Sequence, residues 1–400
     1  MKAILVGIDF GTTFSKVCFR RGEDPEFIKF NETFFKESIV YFHNEKLYYN
    51  STENSTPIKY FKYSIIGDEL RDKKDKYESE LISVFFLSCL IKESKKYIEN
   101  AIGEKIEIIN NMGAPIDNFI GNEKYRKIYN KIIHIAERVS ELIEECYSCD
   151  LENLKYYYES LDNDEARDNV WPELYVESYS YLKNSNIGNG YYAIIDIGGG
   201  TVDFGVFEKQ VIEESEHNDF YARAKEVWHN GVEVVIAKTS SESGLNEEEI
   251  RSYISEGVGN LNKKALLFLD KLKSEFKDKF VKELLVMLHE HEKLNVRRST
   301  IMDVNVLICG GGANCKWYND IIKNTEIGEG VHLSFSDLTD EAIPSNRLLI
   351  SDALAKYLGN MPKIKGWPRT QEEVEQEKNE QRRYLEKKQE EITSYTLQDD

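Results

Sequence analysis

Apolar and polar positions change period along the chain, and the changes mark its elements. Met1 to Arg20 reads as strand, turn, strand, with the turn at Asp9-Phe10-Gly11-Thr12-Thr13-Phe14-Ser15. Strand-like alternation resumes over Phe27 to Tyr49. From Leu81 to Asn100 the period becomes helical, with Leu81, Val84, Phe85, Ser88, Ile91 and Lys95 along one side. Ile106 to Met112 predicts a short strand ending at Gly113-Ala114-Pro115. A second helix is predicted over Asn122 to Cys146, its stripe formed by Tyr125, Ile128, Ile132, Ile135 and Val139. Pro172 to Leu182 reads as a short helix.

A turn-rich stretch, Asn184 to Gly190, divides the chain into two halves. Tyr191 to Phe207 then repeats the opening pattern of strand, glycine turn and strand. Lys263 to Asn295 predicts a long helix with Leu266, Leu269, Leu272, Phe276, Phe280, Leu284 and Leu288 at core-facing spacing. Val304 to Cys309 is a buried-type strand running into Gly310-Gly311-Gly312, and Asn346 to Leu358 predicts a late helix. Pro362 to Pro368 breaks the pattern. From Arg369 to Asp400 the chain is mostly Glu, Lys, Gln and Arg: a solvated helix, with a docking helix or weak coiled coil as the alternative.

Charge narrows the function. Fifty-two basic against 71 acidic residues leave a net charge of −19, which disfavours nucleic acid and anionic membranes as primary ligands. No apolar run approaches the roughly 20 residues of a membrane-spanning helix. The start of the chain carries no signal-peptide pattern, and six cysteines do not make a disulfide framework. A cytoplasmic setting is the expectation. Cys146 and Cys149 form a lone CxxC without the second pair that a structural metal site needs.

Three glycine turns each follow a strand. They are Gly7 to Lys16, Ile194 to Asp203, and Leu307 to Asn314. Glycines let backbone N–H groups approach phosphate oxygens closely. The first two turns resemble each other, each opened by an aspartate, Asp9 and Asp196. Two related half-structures, each carrying one such hairpin, would clamp a polyphosphate between them. Neither turn is a Walker A loop or a dinucleotide fingerprint, because both return into a strand and do not open a helix.

This arrangement resembles the actin, heat-shock chaperone and sugar-kinase ATPase superfamily over about residues 1 to 360. The three turns are similar to its first phosphate loop, second phosphate loop and adenosine loop. Asp9 to Ser15 and Gly198 to Asp203 are closest to the DnaK-type heat-shock-70 branch. The resemblance implies an α/β fold of two RNase H-like lobes around a nucleotide cleft. Lobe I would span 1–188 with an inserted subdomain at about 32–110. Lobe II would span 189–361 with an insertion at about 230–303, and a charged helical tail would follow over 362–400.

It also implies ATP or ADP with Mg²⁺ as ligands, and ATP hydrolysis that is slow without a partner. The implied nucleotide contacts are Asp9, Gly11, Thr12, Thr13, Lys16, Gly198, Gly199, Gly200, Thr201, Gly231, Lys273, Gly310, Gly311, Gly312 and Ala313. Asp9, Asp196 and Asp203 would hold Mg²⁺, largely through water. Lys16 stands where actin-like members carry a phosphate-binding lysine, whereas Lys62 would be the counterpart of the DnaK-type one; both stay open. Pro172-Glu173 has the order found in ParM-type partition actins, so Glu173 would activate the attacking water, with Glu177 as rival. Adenine selection would fall to the helix at 263–293, where Asp270 and Lys273 stand.

Three machines follow from the resemblance. The first is a heat-shock-70-like switch acting on a protein partner, without the usual β-rich peptide-binding domain. The second is a ParM-like protein forming ATP-dependent filaments by self-association. The third, a small-molecule kinase, lacks a sugar-kinase signature.

Overall fold

The opening apolar run folds as β1 (Lys2–Asp9), turns back into β2 (Phe14–Arg21), and continues as β3 (Asp24–Phe27). The computed structural model describes residues 2–67, 70, 76–115, 123–143, 147–160, 169–182, 188–211, 218–293, 302–327, 331–335 and 343–356. Cys146, most of the expected link at Asn184 to Gly190, and the charged tail lie outside the described residues.

Short strands β4 (Lys36–Glu37), β5 (Val40–His43), β6 (Lys46–Tyr48) and β7 (Thr56–Ile58) follow β3. Then come α1 (Lys76–Ile102), β8 (Ile106–Ala114), α2 (Glu123–Leu142), β9 (Ser148–Asp150), α3 (Leu151–Ser160), β10 (Val170–Pro172) and α4 (Glu173–Leu182). The main sheet runs in the order β10-β8-β1-β2-β3. β2 pairs antiparallel with β1 and β3, whereas β8 pairs parallel with β1 and β10. Ile4, Val6 and Ile8 of β1 are buried in one core with Leu81, Phe85 and Ile98 of α1 and Ile132 and Val139 of α2.

The second half comprises β11 (Gly190–Ile197), β12 (Val202–Val211), β13 (Asn218–Trp228), α5 (Val232–Ser243), α6 (Glu247–Glu256) and α7 (Lys263–Lys293). It ends with β14 (Met302–Cys309), α8 (Lys316–Lys323), β15 (Val331–Phe335) and α9 (Leu349–Leu354). Its sheet is ordered β13-β12-β11-β14-β15. Here too the first three strands are antiparallel and the last two join in parallel. Strand for strand, the second sheet repeats the topology of the first. Its core packs Trp228 flat on Phe204, with ring centroids 5.6 Å apart, and edge-on to Phe276 of α7. Leu269, Leu272, Phe276, Phe280 and Leu284 of the predicted α7 stripe are buried, but Leu266 is exposed.

A third, antiparallel sheet has the order β7-β5-β6-β9. The expected insertion at about 32–110 is therefore not one contiguous stretch. β9 completes the small sheet from beyond α2, whereas α1 and β8 belong to the main layer. Among the described residues, no helix is long and apolar enough to cross a membrane.

The last helix of each half packs on the other half. Leu174, Val176 and Tyr181 of α4 share a cluster with Tyr192, Ile194 and Phe207 of the second sheet. In turn α9 lies along β1 and β2: Asn111 Nδ2 donates to the Leu354 carbonyl at 2.9 Å, and Arg20 pairs with the fully buried Asp352. These crossed helices fix the spacing between the carboxyl ends of β1 and β11, where the site lies.

Candidate functional site

β1 ends at Asp9, β11 at Ile197 and β14 at Cys309, and the turns after all three open on one cavity of about 250 Å³. The two hairpins touch there. A Cβ on Gly199 would overlap Thr13 Oγ1, so only glycine allows this approach. The second hairpin is closed by the Gly198 N–H donating to the Thr201 carbonyl at 2.9 Å. It is held from behind by the N-terminus of α5: Val232 and Glu233 N–H groups donate to the carbonyls of Gly198 and Gly199 at 3.0 and 2.8 Å. After β14, the Gly312 N–H donates to the Ile197 carbonyl at 2.7 Å. Gly310 has φ +81°, and a side chain on it would overlap Asp196 Oδ1.

The charged groups follow from the same strands. Asp9 and Lys16 are opposite one another in the β1–β2 ladder, and Lys16 Nζ donates to Asp9 Oδ2 at 2.6 Å. Lys62 enters from the turn between β7 and α1 and donates to Glu173 Oε1 at 2.6 Å, with both side chains buried. Glu173 opens α4 directly after Pro172, which fixes its place at the cavity wall. Asp196 is the penultimate residue of β11 and faces Asp203 across the β11–β12 pairing. Thr201 Oγ1 donates to Asp203 Oδ2 at 3.0 Å.

Glu173, Asp196 and Asp203 each bring a carboxylate oxygen within 4.8 Å of the others. Burial pushes the Asp196 carboxyl up to about 7, with the Glu173 and Asp9 charges adding to the rise. Burial also holds Glu177 and Asp203 well above the usual carboxylate range, and the Asp196 charge reinforces it. Glu173 is raised as well, burial outweighing the Lys62 ammonium. Buried carboxylates this close retain protons unless a cation joins them. Asp196 Oδ1 is buried without a hydrogen-bond partner among the described residues, so an acceptor is available for one. An all-oxygen set with room for water suits Mg²⁺. Of the expected trio, Asp196 and Asp203 lie with Glu173 in this cluster, while Asp9 pairs with Lys16.

Of the sequence-derived residues, Asp9, Gly11, Thr12, Thr13, Lys16, Lys62, Glu173, Asp196, Gly198, Gly199, Thr201, Asp203 and Gly310 to Gly312 all line the cavity. The rival Glu177 lines it too. Gly200, Gly231 and Ala313 are not among the lining residues. Gly200 lies under the Tyr63 ring, and Gly231 caps α5 against the second hairpin. Lys273 is a correction: it is exposed on α7, and neither it nor Asp270 lines the cavity. α6 takes that place through Arg251 and Ser255. Cys149 is half-buried, and its thiol donates to the Asp150 carbonyl at 3.4 Å.

Several lining residues were not anticipated. Arg251 grips Glu233 with two bonds of 2.6 and 2.8 Å, and the Tyr60 hydroxyl donates to the same carboxylate at 2.8 Å. Tyr63 Oη lies 3.2 Å from His229 Nδ1. The turn carrying Lys62 therefore reaches both halves of the molecule. Arg347, just before α9, lies over the Phe35 ring with its guanidinium carbon 4.0 Å from the centroid. Tyr60 and Tyr63 flank Lys62 in sequence and were within reach of the reading; no local pattern points to Arg251 or Arg347 as cavity residues.

The site thus combines close-approaching glycine backbones, ammonium and guanidinium groups, and a cluster of buried acids. That chemistry suits a multiply charged anion accompanied by a divalent cation. No protein-family model and no curated protein matches the chain.

Proposed function

We propose that this protein binds and hydrolyses Mg-ATP in the cleft between two RNase H-like lobes, and that the cycle works as a heat-shock-70-like switch on a protein partner. The observation that carries this reading is the duplicated strand order, with a glycine hairpin from each copy meeting over buried carboxylates. Chance placement of a turn gives no reason for both copies to put an aspartate at the same strand end. The resemblance in the hairpin sequences supports the assignment to the actin and heat-shock superfamily.

In this reading the hairpin N–H groups at 11–13 and 198–201 take the phosphates, and Lys16 neutralises charge beside them. Asp196 and Asp203, with Glu173 or Asp9, hold Mg²⁺; the ion when bound offsets charge on the phosphates and on these acids. Glu173 positions the attacking water and accepts its proton, and Lys62 orients that carboxylate through their 2.6 Å bond. Cleft closure moves the lobes about the crossed helices α4 and α9, so nucleotide state becomes shape.

A ParM-like filament is the second reading. The Asp9–Lys16 pair and the Pro172-Glu173 order favour it, whereas the Lys62–Glu173 pair favours the heat-shock type. Phosphate release with and without Mg²⁺ tests the shared chemistry. Glu173→Gln is expected to retain ATP binding and lose about 10²–10⁴-fold in turnover. Unchanged turnover would move the proton acceptor to Glu177. No Mg²⁺-dependent hydrolysis by the wild-type chain, alone or with cell extract, would overturn the ATPase reading.

A further inference from the structure

Four cations line the cavity: Lys16, Lys62, Arg251 and Arg347. Three are committed to acids, Lys16 to Asp9, Lys62 to Glu173 and Arg251 to Glu233, at 2.6 Å in each case. Arg347 has no acidic partner among the described residues. Its Nε is buried without a hydrogen-bond partner among them, and desolvation weakens its hold on its proton. A guanidinium stays charged in proteins, and Asp9, whose charge supports this one from a distance, is already bonded to Lys16.

Aromatic packing fixes where that charge sits. The guanidinium carbon lies 4.0 Å from the Phe35 ring centroid and 5.4 Å from that of Phe14, the residue that follows the first hairpin. Stacking of this kind holds the planar group and leaves its N–H edge for an anion. Nη2 comes within 3.8 Å of where a Cβ would stand on Gly311, in the turn after β14. The edge therefore spans the cleft mouth between the first hairpin and the third glycine turn.

We infer that Arg347 is an anion clamp of this cleft, taking a phosphate group of the bound nucleotide from beside Phe14 and the third glycine turn. This rests on the nucleotide reading above and adds to the hairpins and Lys16 a further residue that favours phosphorylated ligands over the bare nucleoside. A phosphate is favoured over the base because the ring of Phe35 already covers the guanidinium face. What remains is the donor edge, which pairs with tetrahedral oxyanions in two parallel bonds.

The test is equilibrium binding of ATP, ADP and adenosine, each with Mg²⁺, to the full chain. Arg347→Met keeps the length and apolar packing against Phe35, and Arg347→Lys keeps the charge without the fork. The inference expects Arg347→Met to weaken ATP and ADP by about 10- to 100-fold while adenosine is unchanged. Arg347→Lys should recover only part of the loss. Thermal unfolding of the ligand-free variants separates a folding defect from a binding one. Equal weakening of all three ligands would make Arg347 a base- or sugar-side contact and overturn the inference. Unaltered binding by Arg347→Met would overturn it as well. Failure of the wild-type chain to bind any of the three would instead remove the nucleotide reading itself.

Discussion

Lys62 Nζ and Glu173 Oε1 meet at 2.6 Å where both side chains are almost fully buried. Removing one partner of such a pair leaves an uncompensated charge. This decides which substitution can report on chemistry. Glu173→Ala strands the Lys62 ammonium and is expected to lower stability as well as turnover. Glu173→Gln keeps an acceptor for Lys62 and removes only the basic oxygen, so its loss of turnover is the cleaner reading. Sequence reasoning named Asp9, Lys16, Lys62, Glu173, Asp196 and Asp203, and all six line one cavity; Asp9 and Asp196 stand out at strand ends and Glu173 follows Pro172, whereas Lys16 and Lys62 came from the family resemblance. It did not separate Lys273, exposed on α7 and away from the cavity lining, from the residues that line it, since helical periodicity gives the buried stripe of α7 but not which neighbour stands between that helix and the cleft. It was silent on Arg251 and Arg347, whose roles come from contacts with residues 18 and hundreds of positions away.

At the scale of elements, the long helices α1, α2 and α7 were legible from their apolar spacing, and the short α4 from the Pro172 that precedes it. The hairpins were legible from their glycines. The small sheet was not, because β9 is three residues long and pairs with β6 across about a hundred positions of chain. α6 carried a readable start signal that went unused: Asn246 caps it by accepting from the Glu248 N–H at 3.0 Å, and three glutamates follow. α9 shows how a short helix can be decisive. Asp352 is fully buried between Arg20 of β2 and Lys356, the latter at 2.7 Å. The Arg20 pair ties the last helix of the second half onto the first sheet, and Lys356 adds a second cation one turn along the same segment. Asp352→Ala is expected to destabilise the protein by about 3–5 kcal/mol, the usual scale for stranding a buried charge partner. Urea unfolding followed by circular dichroism measures it. A change below about 0.5 kcal/mol, the range of ordinary surface substitutions, would show that α9 is held by its apolar contacts alone.

For the whole molecule, the repeated strand order is the fact from which the rest follows. Each copy supplies a hairpin, and each lends its last helix to the other. The cavity between them has acids on several sides and paired cations among them. In the proposed function such an assembly would change shape when a charged ligand arrives, because much of its electrostatic balance lies at the junction of the halves. A net charge of −19 opposes close packing of many identical copies. The switch reading therefore expects sedimentation to give a monomer or small oligomer with Mg-ATP, with Mg-ADP and without nucleotide. A pelletable species that grows only with Mg-ATP, and persists in Glu173→Gln, would establish the filament reading in its place.

In the proposed function the buried carboxylates and facing hairpins hold Mg-ATP. Equilibrium dialysis of Glu173→Gln against ATP, with Mg²⁺ or with a chelator, tests it most directly, beside a double variant that adds Asp196→Asn. Asp196 is chosen because its Oδ1 is buried and without a hydrogen-bond partner among the described residues. The account predicts one ATP bound per chain in Mg²⁺, weakened by the chelator, and lost with Asp196→Asn although the variant stays folded. ATP binding that is indifferent to both Mg²⁺ and Asp196, or no binding at all, would contradict it.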